Sequence, residues 1–261
     1  MQVAVNNLNI NFQVYGNGQP IIVLHGWGDK SDTWYNFAQS LSDKYQVFLV
    51  DLPGFGGSDA PATVWGVEDY AQAINGLIKE LEIENPVLLG HSHGGRIIST
   101  MAAKVHNCKA LILVASGGLD MPSLIVRLKI LWFKTIKILV RPLGKKGEEI
   151  LDNYRKKLGS RDYQESGSLR ATMVKVVNYK LFKILPKINV PTLIVWGGND
   201  KTLSFEQSKI FEKLIPNSYI KIIWDGQHHL HMTNVEELAE IVKDFLSELE
   251  SQPLAKAATS R

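Results

Sequence analysis

The sequence predicts an α/β fold in which a mostly parallel, twisted sheet carries helices on both faces and is interrupted by an inserted helical cap. Three observations predict it: short β-branched apolar segments recur along the chain, segments with helical spacing separate them, and one long interval lacks a strong strand pattern. Alternating strands and helices are typical of parallel sheets, since each connection crosses over as a helix. A chain of 261 residues can bury the core of one such domain.

The predicted strands are short apolar segments, as expected for strands that are mostly buried. They span residues 21–24, 47–50, 87–89, 111–114, 193–196 and 219–224. Helical spacing of apolar residues predicts helices at 33–42, 67–81, 94–106, 205–214 and 235–249. Ahead of the first strand, residues 3–5 and 10–15 flank Asn6 and Asn7, which predicts a hairpin added at one edge of the sheet.

About 75 residues separate the strand that ends near residue 115 from the next strand, which is far longer than an ordinary connection. We therefore predict an inserted helical cap at 117–187, a core made of 1–116 and 188–250, and a flexible tail at 251–261. The cap differs from the core in charge: it holds 16 Lys and Arg against 6 Asp and Glu, whereas the whole chain has a net charge of +3.

Within the cap, residues 124–140 are apolar but also carry Arg127, Lys129, Lys134 and Lys137. The favoured interpretation is a cap helix whose charged residues form its solvated edge, as is usual for amphipathic helices. Two alternatives stay open: weak contact of a basic lid with a membrane or lipid, and a surface that attracts anionic substrates.

Composition excludes several classes of protein. A single cysteine, Cys108, rules out an internal disulfide framework and a cysteine-rich metal site, and it favours a reducing compartment. The opening residues lack the basic and apolar regions of a signal peptide, and no uncharged apolar run reaches the roughly 18 residues of a spanning helix. We therefore expect a cytoplasmic protein. No nucleic-acid-binding module is recognisable, so no such partner is expected.

The most informative motif is the G-x-S-x-G pentad Gly90-His91-Ser92-His93-Gly94, which follows a predicted strand and opens a predicted helix. A serine on such a sharp turn projects its Oγ above the carboxyl edge of the sheet, and the flanking glycines remove Cβ clashes. Ser92 is therefore the candidate nucleophile. The alternative is a glycine-rich turn with an incidental serine.

A candidate base lies near the end of the chain, where three histidines follow the last predicted strand. A histidine on this loop can hang over the carboxyl edge of the sheet, accept the Ser92 proton and return it to the leaving group. His228 is favoured, with His229 and His231 as fallbacks. A three-histidine metal site is the rival hypothesis, disfavoured because no nearby carboxylate or cysteine completes a convincing ligand set.

The candidate acid follows the strand at 193–196. A carboxylate there would accept the Nδ1–H of the histidine, fix its tautomer and stabilise the imidazolium that forms during acyl transfer. Asp200 is favoured. Asp120, beyond the preceding strand, is the alternative and otherwise belongs to a turn that enters the cap, whereas Asp225 is too near the histidine in sequence to be preferred.

Two backbone amides are expected to stabilise a developing oxyanion, because acyl transfer needs preorganised donors at that point. One is the amide of His93, the residue after the nucleophile, and the other is that of Trp27 in the loop His25–Gly28. The segment Asp51–Ser58 is interpreted as a structural turn that closes one side of the site, without a chemical role.

Together these motifs resemble those of the α/β-hydrolase superfamily, in its capped group of esterases and related hydrolases. The resemblance extends over essentially the whole chain apart from the cap and tail. It rests on the His25–Gly28 loop, the Asp51–Ser58 turn, the Gly90–Gly94 elbow, Asp200 and His228, whose order of Ser, Asp and His is that of the family.

The resemblance also reveals departures. Haloalkane dehalogenases and epoxide hydrolases of this fold have an aspartate where this chain has Ser92, so both activities are disfavoured. Relatives that cleave amino-terminal proline peptides hold a substrate ammonium with acidic groups, which a basic cap does not favour. The chain has His229-Leu230 where members usually follow the catalytic histidine with an aromatic residue and proline, and His93 where an apolar residue is common.

The resemblance implies a serine hydrolase that cleaves small-molecule carboxylic esters through Ser92, Asp200 and His228 and an acyl-enzyme, with no metal or organic cofactor. A thioesterase, lactonase or C–C bond hydrolase would use the same residues. A cofactor-free lyase or perhydrolase would keep the triad but show little ester turnover. A non-catalytic binding protein is expected to have lost a triad member, and none is missing here. No feature of the sequence specifies an oligomeric state.

Overall fold

In the computed structural model, which describes residues 1–104, 108–119, 124–158 and 164–251, one eight-stranded sheet organises the protein. Its strands are β1 (Gln2–Val5), β2 (Leu8–Tyr15), β3 (Gln19–Leu24), β4 (Tyr45–Val50), β5 (Val87–His91), β6 (Ala110–Val114), β7 (Thr192–Gly197) and β8 (Ser218–Ile223). They lie in the order β1-β2-β4-β3-β5-β6-β7-β8. All neighbours are parallel except β1–β2 and β2–β4, so the predicted parallel sheet with an edge hairpin is confirmed.

Helices connect the parallel strands and cover the sheet. They are α1 (Tyr35–Leu41), α2 (Val67–Glu80), α3 (His93–Lys104), α4 (Leu124–Val140), α5 (Lys145–Leu158), α6 (Arg170–Val177), α7 (Glu206–Leu214), α8 (Leu230–Thr233) and α9 (Val235–Ser251). A short 3-10 turn, Ser31–Trp34, precedes α1, so the helix predicted at 33–42 begins in a tighter form. The predicted end of α3, at residues 105 and 106, lies outside the described residues.

Alternate side chains of the strands enter two apolar cores, one on each face of the sheet. In β3, Ile22 and Leu24 belong to the core that α2, α3 and α7 cover, whereas Ile21 and Val23 belong to the core under α1 and α9. At most 2% of each of these four residues is exposed. Coverage of both faces explains why the central strands are continuous apolar runs in the sequence.

Strand β8 differs from its predicted form. The sequence predicts a mostly buried strand at 219–224, but β8 is the outer edge of the sheet and its alternate residues face solvent. Tyr219 is 47% exposed, and Trp224, just past the strand, is 70% exposed. An edge strand has a neighbour on one side only, so its residues are less covered than those of a central strand. Apolar and aromatic residues predict the strand but not its place in the sheet.

The described residues between β6 and β7 form helices and turns and contain no strand. Helices α4, α5 and α6 lie in this interval, where Leu151, Met173 and Val176 are buried. The domain boundaries at 116/117 and 187/188 stay a prediction, and the tail from 252 onward lies outside the described residues. No helix in the described parts of the chain is both long and apolar enough to cross a membrane.

Candidate active site

Strand β5 ends at His91 and helix α3 begins at His93, which leaves Ser92 alone at the turn between them. Its φ of +47° lies in the left-handed region, which non-glycine residues adopt rarely and often at functional sites. Ser92 N–H donates to Val114 O at 3.1 Å, and Gly117 N–H donates to Ser92 O at 3.0 Å. These bonds hold the strained turn at the carboxyl edge of the sheet, with the serine half-buried.

The glycines of the pentad are required because the backbone packs very closely around the turn. A Cβ at Gly90 would lie 2.5 Å from the carbonyl of Gly94, and a Cβ at Gly94 would lie 2.2 Å from Leu24 O. Both distances are far shorter than van der Waals contact. Helix α3 can therefore start directly against β3 and β5 only when both positions lack a side chain.

His228 lies on the loop after β8 and Asp200 on the loop after β7, and the structure brings their side chains together. His228 Nδ1–H donates to Asp200 Oδ2 at 2.7 Å, and only 11% and 0% of the two side chains are exposed. The other oxygen, Oδ1, accepts from the amides of Thr202 and Leu203, each at 2.8 Å. Because a carboxylate only accepts, Nδ1 carries a proton, and in the neutral imidazole Nε2 then presents a lone pair.

A hydrogen bond from the elbow holds the same loop. His91 Nε2–H donates to the backbone carbonyl of His228 at 3.0 Å, and the two ring centroids lie 4.8 Å apart. His91 immediately precedes Ser92, so the bond ties the loop of His228 to the elbow. The hydrogen bonds of the described residues do not include one between Ser92 Oγ and His228 Nε2. Such a bond often tightens only when substrate binds.

The other candidate bases and acids form no described hydrogen bond with the His228–Asp200 pair. His229 is exposed, and His231 is bonded to a different carboxylate, so neither joins Asp200 in any described hydrogen bond. Asp225 is exposed and accepts a long hydrogen bond from Asn234 at 3.4 Å. Asp120 lies outside the described residues.

One group of contacts could not be predicted from the sequence. It joins Asp29, Trp34 and His231, and we call it the brace. His231 Nε2–H donates to Asp29 Oδ2 at 3.3 Å, across 202 positions of the chain. The His231 ring also stacks on Trp34, with centroids 4.2 Å apart and planes 1° apart. The brace ties the loop of His228 to the segment that follows the predicted oxyanion loop.

The brace also gathers side chains that could ligate a cation. One ligand atom from each of Asp29, His91, His229 and His231 lies within 4.8 Å of the others. Asp29 therefore lies beside two of the three histidines that follow the last strand, contrary to the expectation that no carboxylate is near them. Asp29 already accepts from Lys30 N–H at 2.8 Å and from His231, and the 4.8 Å spread exceeds the roughly 3.4 Å between tetrahedral ligands with bonds of about 2.0–2.1 Å. Hydrogen bonds thus account for the carboxylate without a metal.

Two amides at the site lack an acceptor among the described residues, namely those of Trp27 and His93. Gly94 N–H donates to His25 O at 3.2 Å, which brings the loop of Trp27 against the elbow. His93 is the first residue of α3, and the first amides of a helix have no intrahelical acceptor. The positive end of the helix dipole adds to their attraction for an anion.

His25 holds the predicted oxyanion loop through both ring nitrogens. Nδ1–H donates to Gly26 O at 2.7 Å, and Nε2 accepts from Leu52 N–H at 3.0 Å. This pattern requires a neutral imidazole, and burial lowers the pKa of His25 accordingly. A Cβ at Gly26 would lie 2.8 Å from His91 Nδ1 and 3.5 Å from Ser92 Cβ, so only glycine lets the loop approach the serine this closely.

The turn after β4 is held by Asp51, which is buried. Its carboxylate accepts from Ser31 N–H at 2.7 Å, Gly57 N–H at 2.8 Å and Asn11 Nδ2–H at 2.8 Å. Burial alone would raise the pKa of Asp51, but these hydrogen bonds outweigh it and hold the pKa below its ordinary value. Gly56, at φ +53°, leaves room for this carboxylate. The carboxylate of Asp51 is thus occupied by hydrogen bonds that hold the turn, in keeping with a structural role.

The side chain of His93 is fully buried between aromatic rings. Its centroid lies 4.9 Å from that of Tyr70 and 5.5 Å from that of Trp27. Neither ring nitrogen has a hydrogen-bond partner, and burial, together with nearby Arg96, holds its pKa well below its usual range. The side chain therefore packs below the loop, as the apolar residue common at this position would.

An open cleft of 610 Å³ lies beside the predicted oxyanion loop. Trp27 and Phe55 line it on the core side, and Ser166 and Leu169 line it from the interval between β6 and β7. Trp27 Nε1–H donates to Ser166 Oγ at 3.2 Å, which joins the two sides. A larger cavity of 690 Å³ lies remote from the elbow, around Cys108, whose pKa burial raises to about 11.

Comparison with known proteins places this chain in a family. The alpha/beta hydrolase fold family matches residues 19–159, more than half of the chain. An uncharacterised hydrolase of Bacillus subtilis (strain 168), YugF, is 26% identical over 270 residues, covering 93% of this chain and 96% of its own. The pimeloyl-(acyl-carrier protein) methyl ester esterase of Vibrio cholerae is 27% identical over 256 residues, covering 90% of this chain and 96% of its own.

Among solved structures, a bacterial membrane phospholipase A described as a virulence factor has a TM-score of 0.79. It is 23% identical and the match covers 97% of this chain and 86% of that one, a similarity that shows the fold. The predicted fold is confirmed by this match and by the mostly parallel sheet. With the family match over residues 19–159, these findings show that the chain belongs to the α/β-hydrolase family.

Proposed function

We propose that the protein is a serine hydrolase of carboxylic esters. Ser92 is the nucleophile, His228 is the general base and then the general acid, and Asp200 orients the imidazole and stabilises its charged form. The observation that carries the proposal is the 2.7 Å bond between His228 and Asp200, on a loop that His91 ties to the elbow of Ser92, where the serine has a φ of +47°. Three loops at one edge of the sheet thus supply the three parts of an activated nucleophile.

In the acylation step, Ser92 Oγ attacks the ester carbonyl carbon while its proton moves to His228 Nε2. The π electrons of the carbonyl move onto its oxygen, and the amides of Trp27 and His93 donate to this oxyanion. When the tetrahedral intermediate collapses, the bond to the alcohol oxygen breaks and His228 protonates the leaving alcohol. The acyl group then remains on Ser92.

In the deacylation step, the same groups act on water. His228 Nε2 removes a proton from the water as its oxygen attacks the acyl carbon, and the oxyanion returns to the same two amides. Collapse breaks the bond to Ser92 Oγ, which recovers its proton from His228, and the carboxylic acid leaves. Asp200 keeps its hydrogen bond to Nδ1–H throughout. No step needs a metal or an organic cofactor.

A neighbouring cleft and one relative support a small-molecule ester substrate. The cleft that Trp27 lines is large enough for a small molecule, and His229, next to the proposed base in sequence, is among its lining residues, whereas Ser92 and His228 are not. The relative from Vibrio cholerae, whose name states a methyl ester substrate, aligns over 90% of this chain. A thioester, lactone or C–C substrate would meet the same groups, so a substrate panel distinguishes them.

The test measures hydrolysis of p-nitrophenyl esters of increasing acyl length, with a thioester and a lactone added to the panel. Ser92→Ala should lower kcat by about three orders of magnitude or more, because the triad acts as a unit. Ser40→Ala, on α1 away from the site, should match the wild type. Turnover that survives Ser92→Ala contradicts the proposal, as does a folded wild-type protein that hydrolyses no substrate of the panel.

A further inference from the structure

We propose that the protein docks on anionic membrane surfaces through helix α4 and the basic turn that follows it, with α4 lying in the plane of the interface. The proposal concerns binding and is independent of the reaction proposed above. Two observations carry it: an exposed apolar face on α4, and a concentration of exposed cations at the carboxyl end of the helix.

Among the side chains of α4 that the structure describes, four large apolar ones form an exposed face. Leu131, Trp132, Ile138 and Leu139 are 61%, 60%, 73% and 69% exposed. Their spacing of i, i+1, i+7 and i+8 places them on one side of a helix with 3.6 residues per turn. Single exposed apolar residues are common on protein surfaces, whereas a contiguous group marks an interaction surface.

Another face of α4 is already packed. Phe133, Ile136 and Val140 are half-buried, and α4 lies against α5. The exposed group is therefore a second apolar face of the helix, which nothing covers within the part of the chain that the structure describes. Removal of such an apolar face from water is favourable in free energy.

Cations outnumber anions at the end of α4 and in the turn after it, where Glu148 and Glu149 follow four exposed Lys and Arg. Lys137, Arg141, Lys145 and Lys146 are all exposed at the end of α4 and just after it. Segment 117–187 has a net charge of +10 and, because the whole chain has +3, the remainder has −7. An anionic bilayer attracts the positive side and repels the rest, which turns α4 toward the lipid.

These features together are those of an interfacial helix. Apolar residues including a tryptophan lie on one side of α4, and Lys and Arg flank them at its end, which suits a boundary between acyl chains and headgroups. A second copy of the chain suits the surface less well. A symmetric dimer would pair this face with itself and bring two copies of the same basic segment to one interface, where their charges repel.

Co-sedimentation with vesicles tests the proposal directly. The full chain should bind vesicles of phosphatidylcholine with phosphatidylglycerol about tenfold more tightly than phosphatidylcholine alone, and added salt should weaken this preference. The double variant Trp132→Gln and Leu139→Gln should lose binding to the anionic vesicles. Lys145→Gln with Lys146→Gln should reduce the preference for anionic lipid. Binding that is absent, or unchanged in the first double variant, overturns the proposal.

Tryptophan fluorescence provides a matched control. Brominated phosphatidylcholine, mixed with phosphatidylglycerol, should quench the wild type and Trp224→Gln but not Trp132→Gln, because Trp224 is as exposed yet lies past edge strand β8. Thermal melting confirms that each variant is folded. If sedimentation without lipid instead shows a dimer that Trp132→Gln abolishes, the face is a contact between copies and the membrane proposal is wrong.

Discussion

His91 Nε2–H donates to the carbonyl oxygen of His228 at 3.0 Å, so the residue before the proposed nucleophile holds the residue proposed as its base. The bond spans 137 positions of the chain and joins the end of β5 to the loop after β8. Both residues are buried, so water competes little for this bond. The separation of Ser92 and the imidazole therefore depends on a backbone contact as well as on Asp200.

Replacement of His91 should slow catalysis without abolishing it. In His91→Ala the loop of His228 loses its tether, and we expect kcat to fall about tenfold to a hundredfold with little change in KM, as for a misplacement of catalytic groups. His91→Gln retains a side-chain N–H and should recover part of the loss. Steady-state kinetics on the preferred ester measure both. Wild-type kcat in His91→Ala would show that the tether is unimportant.

Replacement of Asp200 by Asn should be far more severe. The amide cannot stabilise the imidazolium and can favour the wrong tautomer, which predicts a fall in kcat of about four orders of magnitude. The Oδ1 position can still accept from Thr202 and Leu203, so the loop and the melting temperature should change little. Asp225→Asn, at an exposed carboxylate, is the control and should retain activity. Similar kcat values for both variants would exclude Asp200 from the triad.

Three buried histidines should make the fold sensitive to mild acid. Burial lowers the pKa of His25, and lowers those of His91 and His93 well below their ordinary value of 6.5. The unfolded chain therefore binds more protons, so stability is present above pH 6.5 and is lost as the pH falls below it. Each histidine contributes up to about 1.4 kcal/mol per pH unit. Urea unfolding between pH 5 and 8 measures the slope, and a flat profile below pH 6.5 would contradict the assignment.

His93→Met isolates one of these histidines. The variant removes two buried nitrogens that have no hydrogen-bond partner, and unsatisfied groups of this kind cost about 1–3 kcal/mol. We expect equal or greater stability at pH 7 and a smaller loss on acidification. Ester turnover should stay within a few fold, since the amide proposed to bind the oxyanion belongs to the backbone. A collapse of kcat in a folded His93→Met protein would assign the imidazole a role in the reaction.

Removal of metal should leave the reaction unchanged. Asp29 and His231 share a hydrogen bond, and we interpret the group of Asp29, His91, His229 and His231 as structural. Dialysis against EDTA should therefore alter neither kcat nor the melting temperature. His231→Phe keeps a ring over Trp34 but loses the bond to Asp29, and should melt at a lower temperature with or without EDTA. Inactivation by EDTA that zinc reverses in the wild type but not in His231→Phe would identify a metal site instead.

Local patterns allowed much of this architecture to be predicted. The central strands are apolar runs because both faces of the sheet are covered, and the pentad identifies its turn because glycine alone fits at Gly90 and Gly94. Asp200 and His228 follow strands whose carboxyl ends meet at one edge. In a parallel sheet, residues that directly follow different strands therefore lie close together at one edge.

Long-range contacts could not be predicted in the same way. The pairing of Asp29 with His231 joins residues 202 positions apart, and neither carries a local pattern that names the other. The hydrogen bond from His91 to the loop of His228 could not be predicted either. A histidine next to a candidate nucleophile suggests a catalytic role before a structural one. Strand β8 has the composition of a buried strand, and only the order of the sheet places it at the edge.

Covalent trapping tests directly whether Ser92 is the nucleophile. A fluorophosphonate probe reacts with an activated serine by forming a P–O bond as fluoride leaves, and mass spectrometry of the peptides locates the adduct. We predict one adduct per chain, on Ser92, that forms much more slowly in Asp200→Asn. An adduct on another residue, or full ester turnover by a protein whose Ser92 stays unlabelled, would show that Ser92 is not the nucleophile.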